Sequence, residues 1–294
     1  MSEPRLIKAL LWVALAVTAW QVLPDRYLGP FNAWNPHAIM EFVITIFSIA
    51  WVGHGLMRWL GAHNGVLLTG LVGGFASSTA TIHTLGVRAK SRPELADRAA
   101  VGGVLSNLAT LVQLGVLLQL LAPELLVLFV FPMGCGMAAM CAYAMWVLLR
   151  HVSAEPAALT HAKDDAALDW QGLLMLTAVV CSVSYVSALL NALYGQNGLW
   201  LGAAVSGLVD AHAIVPTVAS LLSQHQLQAH EALMPLLMAL TANTFTKSLI
   251  AFQSGGWAYA KQVVGGVWLT TAAVWAGYVA EGPVAWLGLI KPLF

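Results

Sequence analysis

Ser206-Gly207-Leu208-Val209-Asp210-Ala211-His212-Ala213 lies inside a long apolar run, residues 197–222. This stretch places a carboxylate and an imidazole two residues apart among mostly hydrophobic neighbours. An earlier run, residues 64–86, has a similar layout, because the double glycine Gly73-Gly74 precedes a cluster of hydroxyl side chains. Ionisable and irregular segments at membrane depth are retained mainly where they serve a function, so both runs are predicted to be functional.

The composition decides the class of protein. The 294 residues are 59% hydrophobic and only 9% charged, whereas soluble domains carry about 25% charged residues. The formal net charge is zero, so nothing in it favours a nucleic acid as partner. Cys135, Cys141 and Cys181 all fall in apolar segments and predict no disulfide framework.

Apolar segments of roughly 20 residues are long enough to cross a membrane as helices. The chain has about nine of them, and we predict an all-α polytopic membrane protein. The first is interpreted as a retained anchor helix, because it is long for a signal peptide and lacks a clear cleavage site. The short apolar tail, residues 281–294, is predicted to be interfacial. The nine segments are 5–24, 40–60, 65–86, 99–121, 124–149, 170–194, 198–222, 232–252 and 262–280.

Basic residues indicate the orientation of the chain in the membrane. Arg88, Lys90, Arg92 and Arg98 share one loop, and positively charged loops stay cytoplasmic. With a cytoplasmic N-terminus, that loop is inside only if residues 65–86 enter the membrane and return. We therefore predict that this segment is re-entrant or strongly broken, and buried in protein or lining a cavity.

The two polar runs also belong to a repeat. Gly74 and Gly207 are 133 positions apart, and Asn107 and Asn243 are 136 apart. This long period predicts a two-fold duplication, inverted if both polar runs are hairpins and parallel if both cross. Inverted repeats with interrupted helices are typical of secondary transporters. The predicted parts are an anchor and external loop (1–38), repeat one (39–150), a cytoplasmic linker (151–169) and repeat two (170–294).

The chain resembles the bacterial membrane family called domain of unknown function 4010, from about Leu23 onward. The resemblance implies a polytopic inner-membrane, transporter-like protein, and in larger relatives this domain follows an MgtC/SapB-type domain. The family pattern has a second carboxylate where this chain has His212. The motifs that carry the resemblance are Leu23-Pro24-Asp25, Asn35-Pro36, Gly53, Arg58-Trp59-Leu60-Gly61-Ala62, Gly73-Gly74, Ser77-Ser78-Thr79-Ala80-Thr81, Gly207-Leu208-x-Asp210, and Asn243 with Lys247.

Asp210 is the strongest single signal, because a carboxylate near the bilayer centre costs about 2.5–3.5 kcal/mol on insertion scales. It is predicted to bind a cation or a proton, or alternatively to form a structural pair with Lys247. Lys247 itself could be a counter-charge for Asp210, an anion anchor, or a lysine whose ammonium snorkels to the interface. His212 could join Asp210 as a metal ligand, since imidazole suits transition metals, or it could be a buried structural histidine.

The remaining candidate residues are hydroxyls, amides and glycines. The hydroxyls Ser77, Ser78, Thr79 and Thr81 could bind a dehydrated ion or bond back to their own helix. Asn107 and Asn243 are expected to bond the open backbone of the broken segments, as ligands or as structural groups. Gly73, Gly74 and Gly207 are predicted hinges.

These observations favour a transporter or permease for a small inorganic ion, with a divalent metal cation as the first candidate substrate and no cofactor. The alternatives are an anion transporter that uses Lys247 and a regulatory MgtC-type membrane protein without transport. An enzyme with a dyad of Lys247 and Ser77 or Ser78 is disfavoured, because neither a nucleophile elbow nor an HExxH motif is present. The lipid bilayer is the expected partner, and faces of small residues are compatible with a homodimer.

Overall fold

The structure is a computed structural model that describes residues 18–60, 65–151 and 170–286. These residues are helical apart from turns, two short 3-10 helices and an isolated bridge between Leu28 and Trp34. The α-helices are α1 (residues 18–22), α2 (Pro36–Leu60), α3 (Val66–Ser91), α4 (Ala96–Leu121), α5 (Pro123–His151), α6 (Trp170–Tyr194), α7 (Gln196–Val209), α8 (Val215–Ser223) and α9 (Ala229–Trp286).

Six of these helices, α2 to α6 and α9, are long and apolar enough to cross a membrane. The chain is therefore a multi-pass membrane protein. Most of the predicted first segment, residues 5–24, lies outside the described residues, which begin at residue 18. Helix α9 continues to Trp286, so the first residues of the predicted interfacial tail, 281–294, are helical, and the rest lie outside the described residues.

Helix α9 is two antiparallel arms rather than one rod. Gly256 has a positive φ of 69°, a conformation that glycine adopts without a steric penalty. The arms then run side by side: the Thr244 and Thr271 hydroxyls are 2.7 Å apart, and Trp275 Nε1 donates to Thr241 Oγ1 at 3.0 Å. The two arms correspond to the predicted segments 232–252 and 262–280.

Helix α3 also folds back on itself, at Ser77. A Cβ atom on Gly73 would lie 2.8 Å from Thr81 Oγ1, although the two residues are eight positions apart. Gly70 and Leu85 both pack against Gly102 of α4, yet residues 15 apart on a straight helix are about 22 Å apart. The arms 66–76 and 78–91 form what we name the first hairpin.

Helices α7 and α8 form a second hairpin of the same kind. Gly202 of α7 packs against Ser187 of α6, while Thr217 of α8 donates to Ser184 Oγ at 3.3 Å. Residues 202 and 217 are thus at nearly the same level of α6, which a continuous helix would not allow. At 14 and 9 residues, neither helix reaches the roughly 20 residues needed to cross a membrane.

The two hairpins open toward opposite ends of the helix bundle. At the end of the first, Gly86 packs against Ser254, beside the turn of α9. We name this the basic end, because it carries Arg88 and Lys90. The end of the second hairpin, Leu222 and Ser223, lines one cavity with Glu124 at the start of α5, and we name this the Glu124 end.

Apolar packing holds both hairpins inside the bundle. All residues of α8 from Val215 to Leu222 are buried, and their side chains join a core with α4 and α9 that includes Leu114 and Leu236. A second core at the basic end packs Ile82 and Leu85 around Tyr259, whose hydroxyl donates to the Ile82 carbonyl at 2.7 Å. Residues 211–214 of the second hairpin are buried, so the non-helical backbone there is enclosed by protein, as backbone at membrane depth requires. At the break of the first hairpin, Ser77 is exposed.

Candidate functional site

The two hairpins turn at residues with nearly the same backbone conformation. Ser77 has φ −168° and ψ 113°, and Asp210 has φ −156° and ψ 132°. The two residues are 133 positions apart, which is also the spacing of Gly74 and Gly207. We name residues 77–81 the first tip and residues 210–214 the second tip.

Each turning residue accepts a backbone hydrogen bond just after the turn. Ser77 Oγ accepts a hydrogen bond from the Ala80 N–H at 3.2 Å, and Asp210 Oδ1 accepts one from the His212 N–H at 2.7 Å. Ser77 thereby caps the second arm of α3, whereas Asp210 stabilises the turn at residues 211–214 that precedes α8. The local structural role of both residues is thus explained without a ligand.

Side chains from the next long helix satisfy the carbonyls that the turns leave open. Gln113 of α4 donates to the Phe75 carbonyl at 3.1 Å. In the other half, Asn243 and Thr246 of α9 donate to the carbonyls of Gly207 at 3.2 Å and Leu208 at 3.0 Å. Asn243 therefore contacts the open backbone, as the sequence predicts, whereas Asn107 has a different partner.

Glycine is required where each hairpin meets that helix. A Cβ atom on Gly74 would overlap the Ser106 carbonyl, and one on Gly207 would overlap the Ala239 carbonyl. Because protein interiors are close-packed, the absence of a side chain at both positions lets the backbones touch. These contacts fix the depth of the tips in the bundle.

At the second tip, His212 joins Asp210 to helix α4. His212 Nδ1 lies 2.6 Å from Asp210 Oδ1, and Nε2 lies 3.0 Å from the Thr110 carbonyl. A carbonyl only accepts, so Nε2 carries a proton and donates it. The Nδ1–Oδ1 contact needs a second proton, and wherever that proton lies between the two atoms the pair has no net charge.

Lys247 of α9 lies at the same level and is 1% exposed. Its ammonium donates to Asn107 Oδ1 at 2.6 Å and to Thr110 Oγ1 at 2.9 Å. Lys247 therefore does not snorkel, and the direct partner of Asp210 is His212. Lys247 acts on the Asp210 carboxylate through its charge and without a hydrogen bond, as the counter-charge interpretation expects. Asn107 receives the lysine and does not cap the open backbone.

Thr110 links the two tips, and the sequence analysis did not select it. Its hydroxyl donates to Ser78 Oγ at 3.0 Å and accepts from Lys247, while its carbonyl accepts from His212. Helices α3 and α7 do not pack against each other in the described part of the chain. Hydrogen bonds to Thr110 connect the two tips instead. The available signal was its match with Thr246, 136 positions later.

The family model described as "Domain of unknown function (DUF4010)" matches residues 44–255. The chain belongs to the DUF4010 family. The resemblance of the sequence motifs to this family is thereby confirmed, and the match includes both tips. No curated protein and no solved structure matches the chain.

The remaining candidate residues of this DUF4010 protein lie around the same line of polar groups. Ser78 accepts from Thr110, and its carbonyl accepts from Ser106 Oγ at 3.4 Å. Thr81 packs against Gly73, and Thr79 is half-buried. Thr110 separates Ser78 from Lys247, so the serine and lysine of the disfavoured dyad are not directly bonded.

The predicted metal ligands of the DUF4010 protein are already engaged in hydrogen bonds. Both ring nitrogens of His212 lie within hydrogen-bond distance of an oxygen atom. Asp210 Oδ1 contacts both the backbone N–H and the Nδ1 atom of His212. Among residues 18–60, 65–151 and 170–286, no three His, Cys, Asp or Glu side chains form a group that could hold a metal ion. In this arrangement, the second oxygen of the Asp210 carboxylate is the ligand that the pair leaves free for a cation.

Proposed function

We propose that this DUF4010 protein is a transporter or permease for a small inorganic ion, which binds between the two hairpin tips. One observation supports this most directly. Two helices break at matched residues, and a buried line of polar groups, from Ser78 through Thr110 to Lys247 and His212, joins the breaks. Interrupted helices that meet at the bilayer midplane are how many secondary transporters bind ions.

We further propose that the two halves are inverted repeats. The close approaches Gly74–Ser106 and Gly207–Ala239 recur at the same spacing of 133 positions, and the hairpins open toward opposite ends of the bundle. With both hairpins re-entrant, each half crosses the membrane an odd number of times, through α2, α4 and α5, and then through α6 and the two arms of α9. Rocking of one half against the other would then expose the tips to each side in turn.

The proposed orientation places the basic end in the cytoplasm of a bacterial inner membrane, with the N-terminus also inside. It follows from the concentration of basic side chains at that end. Single cysteines at Ser91 and at His225, in a variant whose three native cysteines are alanine, test it. An impermeant maleimide added to intact cells should label the cysteine at 225 and not the one at 91; the reverse pattern contradicts the orientation.

Two classes of ion, a divalent metal cation and an anion, are the candidate substrates. A divalent metal cation remains the prediction from the sequence, although the second tip offers few free ligands for it. The alternative, an anion, has a specific observation in its favour: Lys247 is a buried cation whose two hydrogen-bond partners are both neutral. A homodimer also remains a prediction.

The proposed function is tested by reconstitution into liposomes and tracer uptake of Mg²⁺, Mn²⁺, Zn²⁺, chloride, nitrate, sulfate and phosphate. At least one of these ions should enter faster than into protein-free liposomes. If none does, with the protein folded and inserted, the transporter proposal is contradicted.

A further inference from the structure

We infer that the ion bound between the tips is an anion, and that the Lys247 ammonium is its principal binding group. This inference rests on the proposed transport function and specifies its substrate class. Lys247 is among the largest fully buried side chains of the described residues. A buried charge persists only where it is paired, well hydrogen-bonded or needed for function.

The two hydrogen-bond partners of Lys247 carry no charge. Asn107 Oδ1 and Thr110 Oγ1 are neutral oxygens, and the nearby carboxylate of Asp210 is paired with His212. The Asp210 carboxylate stabilises the ammonium electrostatically, but the Asp210–His212 pair has no net charge in either arrangement of its proton. The three ionisable groups together therefore carry one positive charge when Lys247 is protonated.

Lys247 also has capacity for one more hydrogen bond. An ammonium carries three N–H donors, and the described residues accept two of them. An anion at the third donor would gain both a charge-assisted hydrogen bond and the Coulomb attraction of a poorly hydrated cation. A metal cation at the same distance would be repelled with comparable strength.

The backbone at the first tip adds to this preference. The second arm of α3 begins at Ser78. The Thr110 hydroxyl is hydrogen-bonded both to Ser78 Oγ and to the Lys247 ammonium. The N-terminus of a helix carries a partial positive charge and favours anions. The Lys247 ammonium and the start of this helical arm would therefore both attract an anion that lies between them.

The test compares Lys247→Gln with Lys261→Gln, which changes an exposed lysine on the second arm of the same helix. In liposomes, the wild type should take up an anion from the panel chloride, nitrate, sulfate and phosphate. Lys247→Gln should weaken its apparent affinity by about 10- to 100-fold, the effect of losing one hydrogen bond to a charged group. Lys261→Gln should behave as the wild type.

A measurement on the wild type keeps the inference testable if Lys247→Gln does not fold. At constant ionic strength, the transported anion should raise the thermal midpoint of the purified protein above its value in gluconate, since a ligand of the folded state stabilises it. Uptake of Mg²⁺, Mn²⁺ or Zn²⁺ without uptake of any anion overturns the inference but leaves the transporter proposal standing. Unchanged anion affinity in Lys247→Gln also overturns it, whereas absence of all ion uptake refutes the proposed function itself.

Discussion

The two hairpin tips have the same backbone turn but different chemistry. The first tip turns at Ser77 and presents hydroxyls, while the second turns at Asp210 and presents a carboxylate and an imidazole. Both turning residues accept a backbone hydrogen bond just after the turn, so the local geometry alone requires only an oxygen at these positions. The carboxylate and the imidazole at the second tip exceed that requirement, so the second tip is the better place to look for function.

The largest effect is expected from Asp210→Asn. The amide oxygen can still accept from the His212 N–H, so the turn should form, but the buried imidazole loses its charged partner. Ion uptake should fall by about 100-fold or more, as when a buried charge is left without its partner. Uptake in liposomes measures this, with Glu94→Gln, at an exposed carboxylate, as control. Wild-type uptake in Asp210→Asn would show that the two tips do not differ in function.

Thr110→Val tests whether the tips are linked through one residue. Valine keeps the carbonyl that His212 contacts but leaves Ser78 and the Lys247 ammonium each without one partner. The free energy of unfolding should fall by about 1–3 kcal/mol, and uptake about tenfold. Thr246→Val, at the matching position of the second half, should cost less, because Thr246 bonds only the Leu208 carbonyl in a more exposed place. Equal costs for the two valines, measured by thermal unfolding and uptake, would contradict a special role of Thr110.

Gly74→Ala and Gly207→Ala test the part that the tips share. In both, the new methyl group overlaps a backbone carbonyl of the neighbouring helix, so each should destabilise the protein by about 1–3 kcal/mol. Gly134→Ala is the control, because nothing lies within 4 Å of a Cβ atom there and alanine should stabilise that helix by up to about 1 kcal/mol. Thermal midpoints in detergent measure all three. A large difference between the first two would show that the two hairpins are not packed alike.

The smallest effect is expected from Ser77→Ala. It removes the hydroxyl that caps the second arm of α3 and should cost about 1 kcal/mol of stability. Uptake should stay close to the wild type, because Ser77 is exposed and lies outside the line from Ser78 to Lys247. A loss of uptake comparable to that of Asp210→Asn would mean that both turning residues bind the ion.

Much of this fold could be predicted from local composition. Segment length and hydropathy located the helices, and the basic loop at Arg88 pointed to a hairpin in residues 65–86. The contacts of the candidate site were harder to predict, because the spacing of residues within one segment does not reveal their partners on other helices of the bundle. Lys247 meets Asn107 over 140 positions, and His212 meets Thr110 over 102.

The sequence by itself determined the membrane class and the family, and it located the two broken segments, because each depends on residue types in one stretch of chain. The predicted hinges Gly73, Gly74 and Gly207 are helical, however, and the breaks fall at Ser77 and Asp210. Only the tertiary structure decided that Asp210 pairs with His212, that Lys247 is left with neutral partners, and that Thr110 joins the tips. Those contacts depend on how the long helices rotate and cross, which is set by close packing at positions such as Gly74 and Gly207.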